Sequence, residues 1–186
     1  MKNILIISSS VRTGRKSPRV ALYFKNYIED KKLGKVEILD LAEMDLPVFS
    51  ERLRYQESPT NEMLVIHEKV FAADGIIIIT PEYNGGYPAS LKNVIDLLTD
   101  EWYHKPIAIS TVSSGAFGGS QVIISLQFSL WKLHAFIAPA MFPVPKIEDQ
   151  FNEAGEPKDK DGTDKRAAGF LKELIWLVDA NEKMKS

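Results

Sequence analysis

The sequence predicts an α/β protein, a doubly wound five-stranded parallel sheet in the order 2-1-3-4-5 with helices on both faces. Three observations carry that prediction. Apolar, strand-sized runs alternate with amphipathic helical stretches along the 186 residues. Four consecutive isoleucines, Ile76–Ile79, mark a strand buried on both faces, as the centre of a parallel sheet requires. Three loops of unusual composition follow strands one, three and four, and right-handed crossovers bring the ends of parallel strands to one edge.

Strand one is expected over about 3–8, around apolar Ile4–Ile7. The loop Ser8–Ser17 follows, then helix one over about 18–32, with Val20, Ala21, Phe24, Tyr27 and Ile28 apolar, Ser17 as N-cap and Pro18 first in the helix. Strand two is Lys35–Asp40, and Leu41–Ser58 is a long connection containing Pro47. Ser58-Pro59 opens helix two, with Met63, Ile66, His67 and Val70 on one face. Strand three, 75–80, runs into Thr80-Pro81-Glu82-Tyr83-Asn84-Gly85-Gly86-Tyr87-Pro88, and helix three over about 88–99 carries Leu91, Val94, Ile95 and Leu98. Strand four is Pro106–Val112, the glycine-rich loop is Ser113–Gly119, and helix four covers about 119–133. Strand five lies within Phe136–Val144. The charged, Gly- and Pro-bearing run Glu148–Thr163 is expected to be a mobile surface excursion. Helix five closes the chain with Phe170, Leu171, Leu174, Ile175 and Val178 on its apolar face. One domain, 1–186, is the expected organisation.

Composition narrows the function. With 45% hydrophobic and 26% charged residues and a net charge of −2, no bulk field draws the chain to nucleic acid or a membrane surface. The longest apolar runs are strand-sized, short of the roughly 20 residues that span a bilayer. Met1-Lys2-Asn3 leads straight into strand one and leaves no room for a signal peptide. Without cysteine there is no disulfide, thiolate nucleophile or sulfur-ligated metal, and a cytoplasmic location is expected. None of the pairs formed by His67, His104 and His134 has metal-ligand spacing, so no metal site is expected. Lys92 and Asp96, four apart, read as a surface pair. The three tryptophans read chiefly as hydrophobic bulk, with Trp131 placed to bury at a subunit interface.

In the order 2-1-3-4-5, strands one and three flank the topological switch point, so the three loops meet in one crevice. The first offers Ser8, Ser9, Ser10, Thr13 and Ser17 with Arg12, Arg15 and Lys16 at a helix N-terminus, where orphan N–H groups and the helix dipole favour an anion. Gly14 is its only glycine, so neither a dinucleotide fingerprint nor an NTPase phosphate loop is present. A receiver domain would need acids where Ser8 and Thr80 stand, and a cysteine-dependent phosphatase would need a cysteine. In the other two loops Gly85, Gly86, Gly115, Gly118 and Gly119 let main chain approach a flat ligand, and Tyr83 and Phe117 can stack on or edge a ring. Taken singly, Tyr83 reads equally as core packing and the glycines as turns. Taken together, a flavin ring with its monophosphate in the first loop, FMN, suits all three.

These residues resemble the flavodoxin-like NAD(P)H-dependent FMN reductases, a family that includes quinone, azo-dye and chromate reductases. The likeness spans nearly the whole chain. It rests on Ser10-Val11-Arg12 with Gly14-Arg15 beyond, on Pro81–Gly85 with Pro88 and Leu91–Asp96, and on Ser114-Gly115-Ala116-Phe117-Gly118-Gly119. The resemblance implies that Ser10, Arg12 and Ser17 bind the FMN phosphate. It places Pro81, Glu82, Tyr83 and Asn84 along the isoalloxazine and ribityl chain, and Ser114, Gly115 and Gly118 at the ring's polar edge. Ser9 departs from the family's usual glycine before the Ser-x-Arg element.

The resemblance further implies a ping-pong reaction in which NADPH or NADH is the co-substrate and a small molecule the electron acceptor, with a homodimer or homotetramer as the assembly. The chemistry belongs largely to the cofactor, so no side chain is named as catalytic. The alternative is a flavodoxin-type one-electron carrier without efficient NAD(P)H oxidation. Such carriers favour acidic docking surfaces, and the near-neutral charge and the cations of the first loop argue against it. A flavin-free interaction protein on the same fold is a third reading.

Overall fold

The four isoleucines are covered on both faces: Ile76, Ile77, Ile78 and Ile79 each have 0% exposure. In the computed structural model, which describes residues 1–185, they lie in β3 at the middle of a five-stranded parallel sheet. The strands are β1 (Asn3–Ser8), β2 (Lys35–Asp40), β3 (Gly75–Pro81), β4 (Pro106–Val112) and β5 (Phe136–Val144). They run in the order β2-β1-β3-β4-β5, as the sequence predicts. The helices are α1 (Ser17–Asp30), α2 (Asn61–Ala72), α3 (Ala89–Leu97), α4 (Val122–Lys132), α5 (Ile147–Gln150) and α6 (Lys160–Lys185), with short 3₁₀ turns between some of them.

Alternation along each strand sorts the core into two layers. Ile4, Ile6, Ile77 and Ile79 pack with Val20, Phe24 and Ile28 of α1 and Phe170, Leu171 and Leu174 of α6. Leu5, Ile7, Ile76 and Ile78 pack with Ile66 and Val70 of α2, Leu91, Val94 and Ile95 of α3, and Leu126 and Leu130 of α4. The register aligns Ser8 with Asp40 and with Ile79, and Thr80 with Thr111. The C-terminal ends of β1, β2, β3 and β4 therefore finish level, which brings their loops together.

Several local expectations are corrected. Ser17 is not the N-cap of α1. Lys16 holds that position without a side-chain cap, Pro18 falls in the first turn, and Ser17 is the first helical residue, with its hydroxyl buried and unpartnered. Helix α2 starts at Asn61, because the Thr60 hydroxyl accepts from Met63 N at 3.3 Å, the geometry of an N-cap. Helix α4 starts at Val122, not 119, since Gly118 and Gly119 both take positive φ and turn the chain first. Of the tryptophans Trp102 is core, Trp176 is 65% exposed against the expectation of hydrophobic bulk, and Trp131 is 63% exposed, as an interface residue is in a lone chain.

The largest correction is the run expected to be a mobile excursion. It carries α5, an isolated antiparallel bridge between Phe151 and Pro157, and the start of α6. Phe151 is buried edge-on against Tyr23, with ring centroids 5.4 Å apart, and Arg19 Nη1 donates to its carbonyl at 2.8 Å. Gly155 seats against α1 so closely that a Cβ would lie 2.7 Å from Arg19 O and 2.8 Å from Tyr23 N. One buried aromatic and one glycine secure a segment whose average composition reads as disordered.

Candidate active site

At the switch point a cavity of about 320 Å³ opens between three loops. It is lined from the first loop by Ser10, Arg12 and Ser17, from the second by Pro81, Glu82 and Tyr83, and from the third by Ser114. Seven of the ten residues expected at the site thus share one cavity. Asn84, Gly115 and Gly118 shape the loops without lining it. Asn84 and Gly85, both at positive φ (53° and 80°), form a two-residue hairpin closed by Tyr83 N to Gly86 O at 2.8 Å and Gly86 N to Tyr83 O at 3.1 Å. Gly115 O accepts from Lys146 N at 3.0 Å and from Ser113 Oγ at 2.9 Å. Gly118, at φ 64°, is in a conformation that strains any side chain, and a Cβ there would crowd Pro143 at 3.1 Å.

The second loop is tied to both others. The Tyr83 hydroxyl lies 2.7 Å from Ser10 Oγ, which joins it to the first loop. Glu82 Oε2 accepts from Gln121 N at 3.1 Å, which joins it to the entry of α4. A carboxylate there also complements the positive end of the helix dipole.

The first loop has the chemistry of an anion site. The main-chain N–H groups of Val11, Arg12, Thr13 and Gly14 have no internal acceptor among the described residues. Ser17 Oγ is buried without a partner beside them. Its cations divide sharply. Arg15 is paired with Asp40, Lys16 lies 3.7 Å from Glu148, and Arg19, already in the first turn of α1, holds Phe151 O and Glu153. Arg12 is exposed, and its side chain makes no ion pair or hydrogen bond among the described residues. Orphan donors, a buried hydroxyl and an uncommitted guanidinium fit a phosphate monoester, so the residues present suit FMN.

Sequence reasoning missed Ile147 and Glu148, which also line the cavity. The signal was available: a loop after β5 falls on the same sheet edge as the others. The charged composition of the run beginning at Glu148 obscured it. Outside the site, His67 Nδ1 lies 2.7 Å from Glu101 Oε1, and Lys92 pairs with Asp96 as expected.

A sheet of this order with an anion-accepting loop and glycine-shaped loops at its switch point defines a flavodoxin-like protein. Within that class the comparison is specific: the family pattern described as NADPH-dependent FMN reductase matches residues 2–149. The chain belongs to that family. It is 39% identical over 139 residues to an NAD(P)H-dependent FMN reductase of Saccharomyces cerevisiae, covering 66% of this chain and 70% of the relative. It is 33% identical over 145 residues to an NADPH azoreductase of a Bacillus species, covering 77% and 79%. In structure it is similar to FerB, a flavoenzyme NAD(P)H:(acceptor) oxidoreductase of Paracoccus denitrificans, with a TM-score of 0.75 over 98% of each chain at 24% identity, a likeness that shows the fold.

Proposed function

We propose that the switch-point cavity is where this FMN-dependent NAD(P)H oxidoreductase holds its cofactor, and that the reaction is ping-pong, with the nicotinamide and then a small acceptor entering the same place. One observation carries the site: the Arg12 side chain and the Ser17 hydroxyl, both without partners among the described residues, line the same cavity as Tyr83. Ser10, Arg12 and Ser17 hold the phosphate, the guanidinium by charge-assisted hydrogen bonds and the dipole of α1 in support. Pro81, Glu82, Tyr83 and Asn84 border the ring and ribityl chain, and Ser114, Gly115 and Gly118 present main chain to the ring's polar edge. When bound there, FMN would supply the two-electron chemistry that links NADPH or NADH to the acceptor. The chain's own contribution is alignment and electrostatics. Glu82 is committed to Gln121 N and Glu148 to Lys16, and neither is assigned a proton-transfer step. A small organic acceptor of the azo or quinone class fits the relatives' chemistry.

The working assembly is a homo-oligomer. Ile124, Phe128 and Trp131, spaced for one face of α4, are 76%, 61% and 63% exposed, while Val122, Leu126 and Leu130 bury the other face. A helix apolar on both faces calls for a covering partner. No helix among the described residues is long and apolar enough to cross a membrane, and the cytoplasm, which supplies NAD(P)H, is the proposed location.

The test is the visible spectrum of FMN-loaded, desalted protein as NADPH is added without oxygen. A retained flavin band that bleaches quickly is the expected result. A retained band that persists would indicate an electron carrier, and a lost band would remove the cofactor assignment.

A further inference from the structure

Arg15 stands in the cationic loop with Arg12, yet its guanidinium is turned to other work. It grips both carboxylate oxygens of Asp40, Nη2 meeting Oδ2 at 2.7 Å, and Nη1 donates as well to the carbonyl oxygen of Ser10 at 2.9 Å. The two side chains are 21% and 14% exposed. Asp40 is itself anchored: it ends β2, and its Oδ1 accepts from Ala42 N at 3.1 Å. A strut therefore runs from the end of the edge strand to the main chain of the first loop. Ser10 is held from two sides, its carbonyl by Arg15 and its hydroxyl by Tyr83. Arg15 N closes the turn by donating to Arg12 O at 3.1 Å.

We propose that Arg15 and Asp40 are positioning residues for the phosphate. The pair keeps the turn from Ser10 to Gly14 in the shape that leaves its N–H groups without internal acceptors, and Arg12 is the cation that meets the ligand. A guanidinium committed to a two-pronged carboxylate contact adds little net charge for a second anion, whereas its planar fork fixes geometry that a lysine cannot. The inference rests on the reading that this loop takes the FMN phosphate.

The test is equilibrium dialysis of the full chain and its Asp40→Asn and Arg15→Lys variants against FMN and, separately, against riboflavin, which lacks the phosphate. Urea midpoints are measured alongside. Both variants are expected to bind FMN about tenfold more weakly, the scale of one charge-assisted hydrogen bond, with riboflavin affinity held within about twofold. Arg15→Lys keeps the charge and loses the fork, so FMN affinity equal to the parent's would overturn a geometric role. Tighter FMN binding by Asp40→Asn would overturn the proposal in another direction, by showing that Arg15 is a phosphate ligand held back by Asp40. Equal weakening for FMN and riboflavin would reduce the pair to general support of the fold. If the parent chain binds FMN and riboflavin equally well, the phosphate reading of the loop itself fails, independently of either variant.

Discussion

The first loop and the glycine-rich loop after β4 border the same cavity and are held by different chemistry. The first is braced by side chains: the Arg15–Asp40 pair, the contact between the Tyr83 hydroxyl and Ser10, and Ser90 Oγ donating to Ser9 O at 2.6 Å. The other is shaped mainly by backbone, with two short local ties from Ser113 Oγ to Gly115 O and from Thr111 Oγ1 to Gly118 O. Gly118 and Gly119 sit at φ 64° and 71°, and Lys146 N and Ile147 N donate to Gly115 O and Ser113 O. Phe117 at its tip is 85% exposed. Glu82 supplies its tie from the second loop. The contrast separates two kinds of residue. Where side chains are held ready for a ligand, replacement is felt in binding. Where dihedral angles form the wall, replacement is felt in folding.

The strongest way to break that contrast is Gly118→Val. A β-branched residue at positive φ, pressed against Pro143 and Pro145, is expected to destabilise the fold by about 2–4 kcal/mol. A urea midpoint near the parent's would show that the loop can re-form around a side chain, and the contrast would fail at its backbone end.

Arg12→Ala tests the opposite end. It is expected to weaken FMN binding by about 1.5–3 kcal/mol, as for a lost charge-assisted hydrogen bond, and to leave the unfolding midpoint nearly unchanged, because the side chain is exposed and unpaired. An unchanged dissociation constant would remove Arg12 from the phosphate site.

Ser17→Ala should move the two readouts apart. The buried hydroxyl has no partner among the described residues, so its removal costs the flavin-free fold nothing and relieves a desolvated group. FMN affinity is expected to fall by about 0.5–1.5 kcal/mol. Lower stability with equal affinity would make Ser17 a structural residue.

Glu82→Gln sharpens the junction between the loops. Glutamine can still accept from Gln121 N, so the loss is that of a negative charge at the start of α4, about 0.3–1 kcal/mol in stability. A fall in FMN affinity larger than the fall in stability would give the Glu82 carboxylate a direct part in holding the cofactor.

Much of the cavity was legible in the sequence because its markers are local. A hydroxyl- and cation-bearing loop between a strand and a helix, and Asn84-Gly85 after a buried strand, impose their geometry through nearby backbone. The division of labour among the cations was not legible. Arg12 and Arg15 are three residues apart and chemically alike, and what distinguishes them is Asp40, which parallel pairing of β1 and β2 sets opposite Ser8. Ile147 and Glu148 were missed because a run is judged by average composition, whereas one buried Phe151 and one close-packed Gly155 hold this one to α1.

The sequence by itself determined the parallel sheet covered on both faces, its strand order and the edge on which the loops meet, since hydrophobic period and crossover handedness act along the chain and leave few topologies open. Tertiary structure alone decided which cation of the first loop stays free, which serine hydroxyls are left without a partner among the described residues and which glycines admit no side chain. Those outcomes depend on distances between residues far apart in the chain, which no local pattern encodes.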